Sequence, residues 1–186
     1  MNTNNHSANE FRQMVRREQQ TILKELCFTK ITTTIYEKGD LQSISEVVLA
    51  SLREILAIEH SLVALSENAF LSIIAANGKT YPTGTRVPKI SSLADIFKSS
   101  AVFDVHTIQR KQLFTLTNSD DALAFAIPLF LSGQPIGILA YCVVKPVPKE
   151  QYSFLQIISS LLTLSMQKSS NKTNKIDPKI LQQITP

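Results

Sequence analysis

The chain contains no tryptophan, only two cysteines and only five glycines, and these shortages exclude several kinds of site. Cys27 and Cys142 stand far apart in apolar runs, with no CxxC pair and no cysteine–histidine array of zinc-binding spacing. We therefore expect two buried, reduced thiols and no metal. The few glycines form no phosphate-binding loop, and no nucleophile–base pair can be assigned. The sequence thus predicts a protein that is not an enzyme and carries no cofactor.

Long apolar runs are missing as well. No run approaches the roughly 20 residues that cross a bilayer, and the polar segment Asn2–Asn9 is unlike a secretory signal peptide. The net charge of +4 is spread along the chain rather than concentrated beside aromatic residues. We therefore expect a cytoplasmic protein with no membrane span and no nucleic-acid partner.

Helical periodicity and turn residues divide the chain into four parts. Residues 1–8 are predicted to be disordered, 9–39 to form a helical arm, 40–168 a domain, and 169–186 a flexible tail. In the arm, the threonines at 32–34 predict a break or kink. Ser43 and Glu46 have the spacing of a capping box and predict the start of the next helix. In the tail, Asp177-Pro178 is typical of the start of a short helix, and the alternative is a frayed end.

The domain contains several predicted strands. Residues 60–66 and 70–76 are predicted strands, and residues 79–122 form an irregular middle with a short helix at 92–98 and a strand at 102–107. The strongest pattern is a hairpin over 124–144 that turns at Ser132-Gly133. Its strands are apolar on both faces, so we expect them to lie at the centre of a sheet covered on both sides.

The helix predicted at 148–168 is apolar around most of its circumference. A surface helix needs an apolar stripe of only about 100° to face its own core. We therefore expect the surplus to pack on the N-terminal helix, on a second copy, or on both. The candidate dimer or partner surface consists of Phe11, Val15, Ile22, Phe154, Ile157, Leu161 and Leu164.

The hairpin also carries a family resemblance. It reads Ile127-Pro128-Leu129, then Gly133, then Ile136-Gly137-Ile138-Leu139, and Phe103-Asp104-Val105-His106 precedes it. In these segments the chain resembles a GAF domain over roughly residues 40–168. The resemblance implies an α+β fold with a central antiparallel sheet of five or six strands. Terminal helices would cover one face, and loops and short helices the other.

The resemblance also implies a place for a ligand, between the sheet and residues 79–121. The candidate ligand-binding residues there are Tyr81, Arg86, Phe97, Asp104, His106 and Arg110. The alternatives are that Asp104 and His106 lie on a solvated strand edge, that the arginines are isolated surface cations, and that the aromatic residues are ordinary core. The cyclic-nucleotide motif, the bilin-binding cysteine, and the pocket cysteines and aromatic residues of free methionine sulfoxide reductases are not matched.

These observations predict a non-catalytic GAF-like regulatory or sensory module that dimerises through its terminal helices and binds a small molecule under residues 79–121. The alternative is a ligand-free GAF-fold adaptor or scaffold that binds a protein partner, through its helices or tail, in a larger assembly. An open polar cavity would favour the first prediction. A space filled by Phe97, Phe103 and Phe114 would favour the second.

Overall fold

The computed structural model describes residues 3–37, 39–90, 92–98, 106–116 and 122–173. Five α-helices, two short 3₁₀ helices (Ile96–Lys98 and Lys149–Gln151) and six strands lie in these ranges. The helices are α1 (Thr3–Glu37), α2 (Leu41–Leu56), α3 (Ser92–Asp95), α4 (Arg110–Leu113) and α5 (Tyr152–Thr173). The strands are β1 (His60–Glu67), β2 (Phe70–Asn77), β3 (Arg86–Pro88), β4 (His106–Ile108), β5 (Leu123–Leu131) and β6 (Gln134–Val143).

The six strands form one antiparallel sheet in the order β3-β2-β1-β6-β5-β4. This arrangement confirms the predicted α+β fold with a central sheet. The hairpin of β5 and β6 turns at Ser132 and Gly133, whose φ angles of 51° and 77° are both positive. Two positive φ angles are typical of the type I′ turn, whose twist matches that of paired strands. The turn therefore lies where the sequence predicts it.

The hairpin buries both of its faces. Ile127 and Leu129 belong to a core cluster with buried residues of α1, α2 and α5. The preceding Ala126 belongs to a second cluster, which the described short elements between residues 81 and 116 cover. Because alternate residues of a strand point to opposite sides, this alternation places a covering layer on each face of the sheet. The prediction that the hairpin is covered on both sides is confirmed.

β6 lies unusually close to β1 at Gly137. A Cβ atom added there would stand 2.5 Å from the carbonyl oxygen of Ala64 and 3.3 Å from the methyl group of Met166. Backbone cannot move aside as a flexible side chain can. The glycine in the apolar-Gly-apolar-Leu motif is therefore explained by the close approach of the two central strands.

Two local predictions are wrong. Helix α2 begins at Leu41, because Asp40 is its N-cap and accepts a 2.8 Å hydrogen bond from the Ser43 N–H, so Ser43 is not the cap. Helix α1 runs unbroken through residues 32–34, where the hydroxyls of Thr32 and Thr34 donate to carbonyl oxygens four residues earlier. α1 begins at Thr3. The predicted tail helix lies outside the described residues.

Truncation of Leu129 tests the position of the hairpin in the core. Leu129 is 1% exposed, so Leu129→Ala is expected to lower the free energy of unfolding by about 2–5 kcal/mol through lost burial and a residual cavity. Ile136 on the partner strand is only half-buried and supplies the matched control. Urea denaturation followed by circular dichroism measures both, and equal losses for Leu129→Ala and Ile136→Ala would contradict this placement.

Substitution of Gly137 tests the close approach of the central strands. Gly137→Ala places a methyl group against the Ala64 carbonyl and is expected to cost about 1–3 kcal/mol of stability through overpacking. Gly84→Ala measures backbone strain without a clash, since a Cβ at Gly84 meets nothing within 4 Å but its φ of +89° disfavours any side chain. Thermal unfolding distinguishes them, and a Gly137→Ala protein as stable as the wild type would contradict the account.

Candidate functional site

The structure brings Tyr81 and helix α4 together. The Tyr81 hydroxyl donates to the carbonyl oxygen of Lys111 at 3.3 Å, and its backbone N–H lies 3.5 Å from the carbonyl oxygen of Leu113. The ring is half-buried and packs on the second core cluster. Tyr81 therefore contacts the helix that begins at Arg110.

Arg86 and His106 are not brought together. Arg86 lies on β3 and His106 on β4, at opposite edges of the sheet. At about 4.8 Å per strand spacing, the two edges are roughly 24 Å apart along the sheet. The Arg86 guanidinium is ion-paired with Glu67 at 2.8 Å instead. Hydrogen bonds from Ser72 and Arg86 hold the pKa of the Glu67 carboxyl below its usual value.

The other predicted ligand residues occupy separate surroundings. Phe97 is half-buried against the second core cluster, and the Lys89 ammonium lies 5.6 Å from its ring centroid. Burial lowers the pKa of Lys89. His106 is half-buried on β4, and Asp104 lies outside the described residues. Arg110 has one buried guanidinium nitrogen without a hydrogen-bond partner and lines a cleft of about 360 Å³ with the end of β4 and the start of β5.

Several described side chains of the middle segment are buried against the sheet. Leu93, Ile96, Leu113 and Phe114 are each at most 1% exposed and pack against the sheet in the second core cluster. Phe97 packs on the same cluster, whereas Phe103 lies outside the described residues. Among the described residues, this packing is apolar.

A cleft of about 450 Å³ lies instead at one end of the sheet, and we call it the sheet-end cleft. It lies between the end of α2, the start of β1 and the end of β6. Its lining residues are Leu56, Ala57, Glu59, His60, Leu116, Ala122, Cys142, Val143, Val144 and Lys145. Sequence reasoning missed this site because it depends on strand register, in which His60 pairs with Cys142 across β1 and β6.

Both cysteines are buried and unbridged, as predicted. Cys27 lies in the first core cluster and Cys142 in the second, so the sheet separates them. Burial raises the pKa of the Cys27 thiol, and a hydrogen bond with Ser51 only partly opposes this effect. Burial likewise raises the pKa of Tyr141.

Within the described ranges, no group of three histidine, cysteine, aspartate or glutamate side chains is arranged to hold a metal ion.

The predicted interface residues divide into two groups. Phe11, Ile22, Ile157 and Leu164 are exposed on α1 and α5, and Val15 and Leu161 are partly exposed. Phe154 is 1% exposed, with its ring centroid 5.4 Å from that of Phe28, because it faces the core between α1 and α5. Phe154 therefore does not belong to the candidate surface. No described helix is both long and apolar enough to span a bilayer.

Thiol reactivity tests the burial of the cysteines. A raised pKa leaves less of the reactive thiolate at neutral pH, so the native protein is expected to react slowly with a disulfide reagent, releasing two equivalents only in guanidinium chloride. Ala94→Cys adds an exposed cysteine on α3 and is the control for normal reactivity. Rapid release of one equivalent from the native wild type would contradict the buried placement.

Comparison with known proteins gives matches to structures alone. No family model matches the chain, and no curated protein matches it at a significant level. The chain is similar to the GAF domain of a phosphoenolpyruvate-protein phosphotransferase from Coxiella burnetii, with a TM-score of 0.66 and 13% identity, over 82% of this chain and 97% of that chain.

Two further structures have other roles. The phycoerythrobilin-bound GAF domain from a cyanobacterial phytochrome gives a TM-score of 0.64 and 14% identity, over 83% of this chain and 100% of that chain. The free methionine-R-sulfoxide reductase from Neisseria meningitidis, in complex with its substrate, gives a TM-score of 0.62 and 14% identity, over 83% of this chain and 93% of that chain. The sheet order, the two covered faces and these similarities together show that the chain has the GAF fold.

Proposed function

We propose that the chain is a non-catalytic regulatory module that works as a homodimer held together by α1 and α5. The observation that supports this proposal is the apolar surface on the outward sides of these two helices. Phe11, Ile22 and Leu26 on α1 are 63%, 55% and 62% exposed. Ile157 and Leu164 on α5 are 44% and 57% exposed. Water contact with so many large apolar side chains is unfavourable, and a partner surface relieves it.

Helix α1 has two apolar stripes on opposite sides. Cys27 and Ile31 lie in the first core cluster, with Phe28 and Ile35 packed against it. At 100° per residue, the stripe of Phe11, Val15, Ile22 and Leu26 lies roughly 180° from that core-facing stripe. One stripe therefore attaches α1 to the domain and the other is left for a partner.

A second copy of the chain is the partner that matches this surface. α1 has 35 residues, so at 1.5 Å per residue it is about 52 Å long. Its residues from Glu10 to Leu23 are exposed apart from Val15, so this half has few contacts with the domain. An identical helix offers a stripe of the same length and spacing, as a two-fold contact requires.

Contacts between the helices link this surface to the core. The rings of Phe28 and Phe154 are in contact, and the Lys168 ammonium donates to the carbonyl oxygen of Ile35 at 3.0 Å. A change in the core that shifts α5 would therefore also shift α1. A module that regulates a partner by direct contact needs such a physical link between its core and its contact surface.

The proposal of a non-catalytic role rests on the placement of the cysteines. The chain shares its fold with a methionine-R-sulfoxide reductase. The two thiols of this chain are buried on opposite faces of the sheet, and burial raises the pKa of Cys27. These features do not favour thiol chemistry.

A second candidate function is that of a ligand-free adaptor that binds a different protein through the same helices. The burial of Leu93, Ile96 and Phe114 against the sheet favours it, because these apolar side chains occupy part of the region where the GAF resemblance implies a ligand. The adaptor and the homodimer use the same exposed stripe. The mass of the purified protein distinguishes them, because only the homodimer has twice the mass of one chain.

Charge placed in the stripe tests the dimer. The double variant Ile22→Glu/Leu26→Glu is expected to sediment as a monomer of 20.7 kDa, because two carboxylates would be buried without partners. The wild type is expected to sediment with twice that mass. Ile157→Glu/Leu164→Glu tests the α5 side in the same way, and analytical ultracentrifugation measures all three.

The control adds the same charge to another side of α1. Gln13→Glu/Gln20→Glu changes two exposed polar residues and is expected to remain dimeric. A monomeric wild type would contradict the dimer and favour the adaptor. A wild type and an Ile22→Glu/Leu26→Glu variant that are both dimeric would show that α1 does not form the interface.

A further inference from the structure

The sheet-end cleft has apolar walls and few polar groups. Side chains of Leu56, Leu116, Val143 and Val144 form much of its lining, and Val144 is 70% exposed at its edge. A volume of about 450 Å³ lies in the range of small-molecule sites. Such walls fit a hydrocarbon body rather than a sugar or a nucleotide.

Besides the buried Cys142 thiol, Glu59, His60 and Lys145 are the ionisable side chains among the described residues that line this cleft. The Glu59 carboxylate lies 3.7 Å from the Arg53 guanidinium, so its charge is balanced from outside the cleft. Lys145 makes no ion pair within the described part of the chain. The Lys145 ammonium is therefore the unbalanced charge at the cleft.

The imidazole of His60 is hydrogen-bonded at one nitrogen. Its Nδ1 accepts a 3.2 Å hydrogen bond from the Lys79 N–H. An accepting Nδ1 places the ring proton on Nε2. Since Nδ1 is occupied, Nε2–H is the group that the ring can offer to a ligand.

We propose that the sheet-end cleft binds an amphipathic monocarboxylate, with its apolar body against the leucine and valine walls and its carboxylate near Lys145 and His60. Two donors, one of them cationic, match a single carboxylate. The proposal extends the proposed regulatory function by assigning a ligand class, and it does not require the dimer.

The cleft also lies where occupancy can affect the proposed dimer surface. Leu56 and Ala57 at the end of α2 line it. Val48, Leu49 and Leu52 of the same helix lie in one core cluster with Cys27 and Ile31 of α1. A ligand that shifts the end of α2 therefore acts on the helix whose opposite side carries the exposed stripe.

Titration with octanoate tests the site, with 1-octanol as the neutral probe of equal chain length. Isothermal titration calorimetry is expected to give one octanoate per chain, bound about tenfold more tightly than 1-octanol. Lys145→Gln is expected to remove this tenfold preference while leaving 1-octanol affinity unchanged. Lys149→Gln, at an exposed lysine outside the cleft, is the matched control and is expected to change neither affinity.

A blocking variant locates the bound chain. Val144→Trp fills the mouth of the cleft at an exposed position, so folding is retained, as circular dichroism will check, and both probes are expected to lose affinity at least tenfold. No octanoate binding at millimolar concentration would overturn the proposal. Binding that Lys145→Gln and Val144→Trp both leave unchanged would overturn it as well, because the probe would then lie elsewhere.

The same titration on Ile22→Glu/Leu26→Glu separates this proposal from the dimer. Octanoate binding with its Lys145 dependence is expected to persist in that variant, because the cleft contains no residue of α1. The affinity itself changes only by the coupling between cleft occupancy and the dimer. Abolished binding would place the probe on the apolar stripe of α1 and would overturn the proposed site. If the wild type is a monomer that still binds octanoate with the Lys145 dependence, the dimer fails and the ligand site stands.

Discussion

The structure depends on the burial of both faces of the β5–β6 hairpin. Ile127 and Leu129 on one face and Ala124 and Ala126 on the other are all buried, so the hairpin needs a layer on each side. On one side α1, α2 and α5 supply that layer, and on the other side the short elements between β2 and β5 supply it. β6 is joined to β1 through the close contact at Gly137. The remaining strands extend the sheet from this centre.

Much of this fold follows from local sequence signals. The turn at Ser132-Gly133 and the apolar runs beside it predict the hairpin, because turn geometry and two-sided burial are short-range properties. The start of α2 is harder to predict from the sequence, because Asp40 and Ser43 are both residue types that favour the N-cap position. Tertiary packing decides which of them caps the helix. The threonines at 32–34 do not break α1, because burial of Ile31 and Thr34 in the core outweighs a weak local propensity.

The candidate site was harder to predict, because strand order and register decide which distant residues become neighbours. Tyr81 approaches α4, but Arg86 and His106 lie at opposite edges of the sheet, and only strand order reveals that separation. His60 and Cys142 lie 82 positions apart in sequence and become neighbours only through the register of β1 and β6. Phe154 illustrates the same limit on α5. Periodicity shows that the helix is apolar on several sides, but only packing shows which side faces the core.

α1 connects the described features because its two sides have different contacts. One side packs on α2 and α5, and α2 reaches the sheet-end cleft. The other side leaves large apolar residues exposed. Native mass spectrometry of the protein as purified tests the proposed homodimer most directly. The homodimer has twice the mass of the 20.7 kDa chain, and a species with the mass of one chain at micromolar concentration would contradict it.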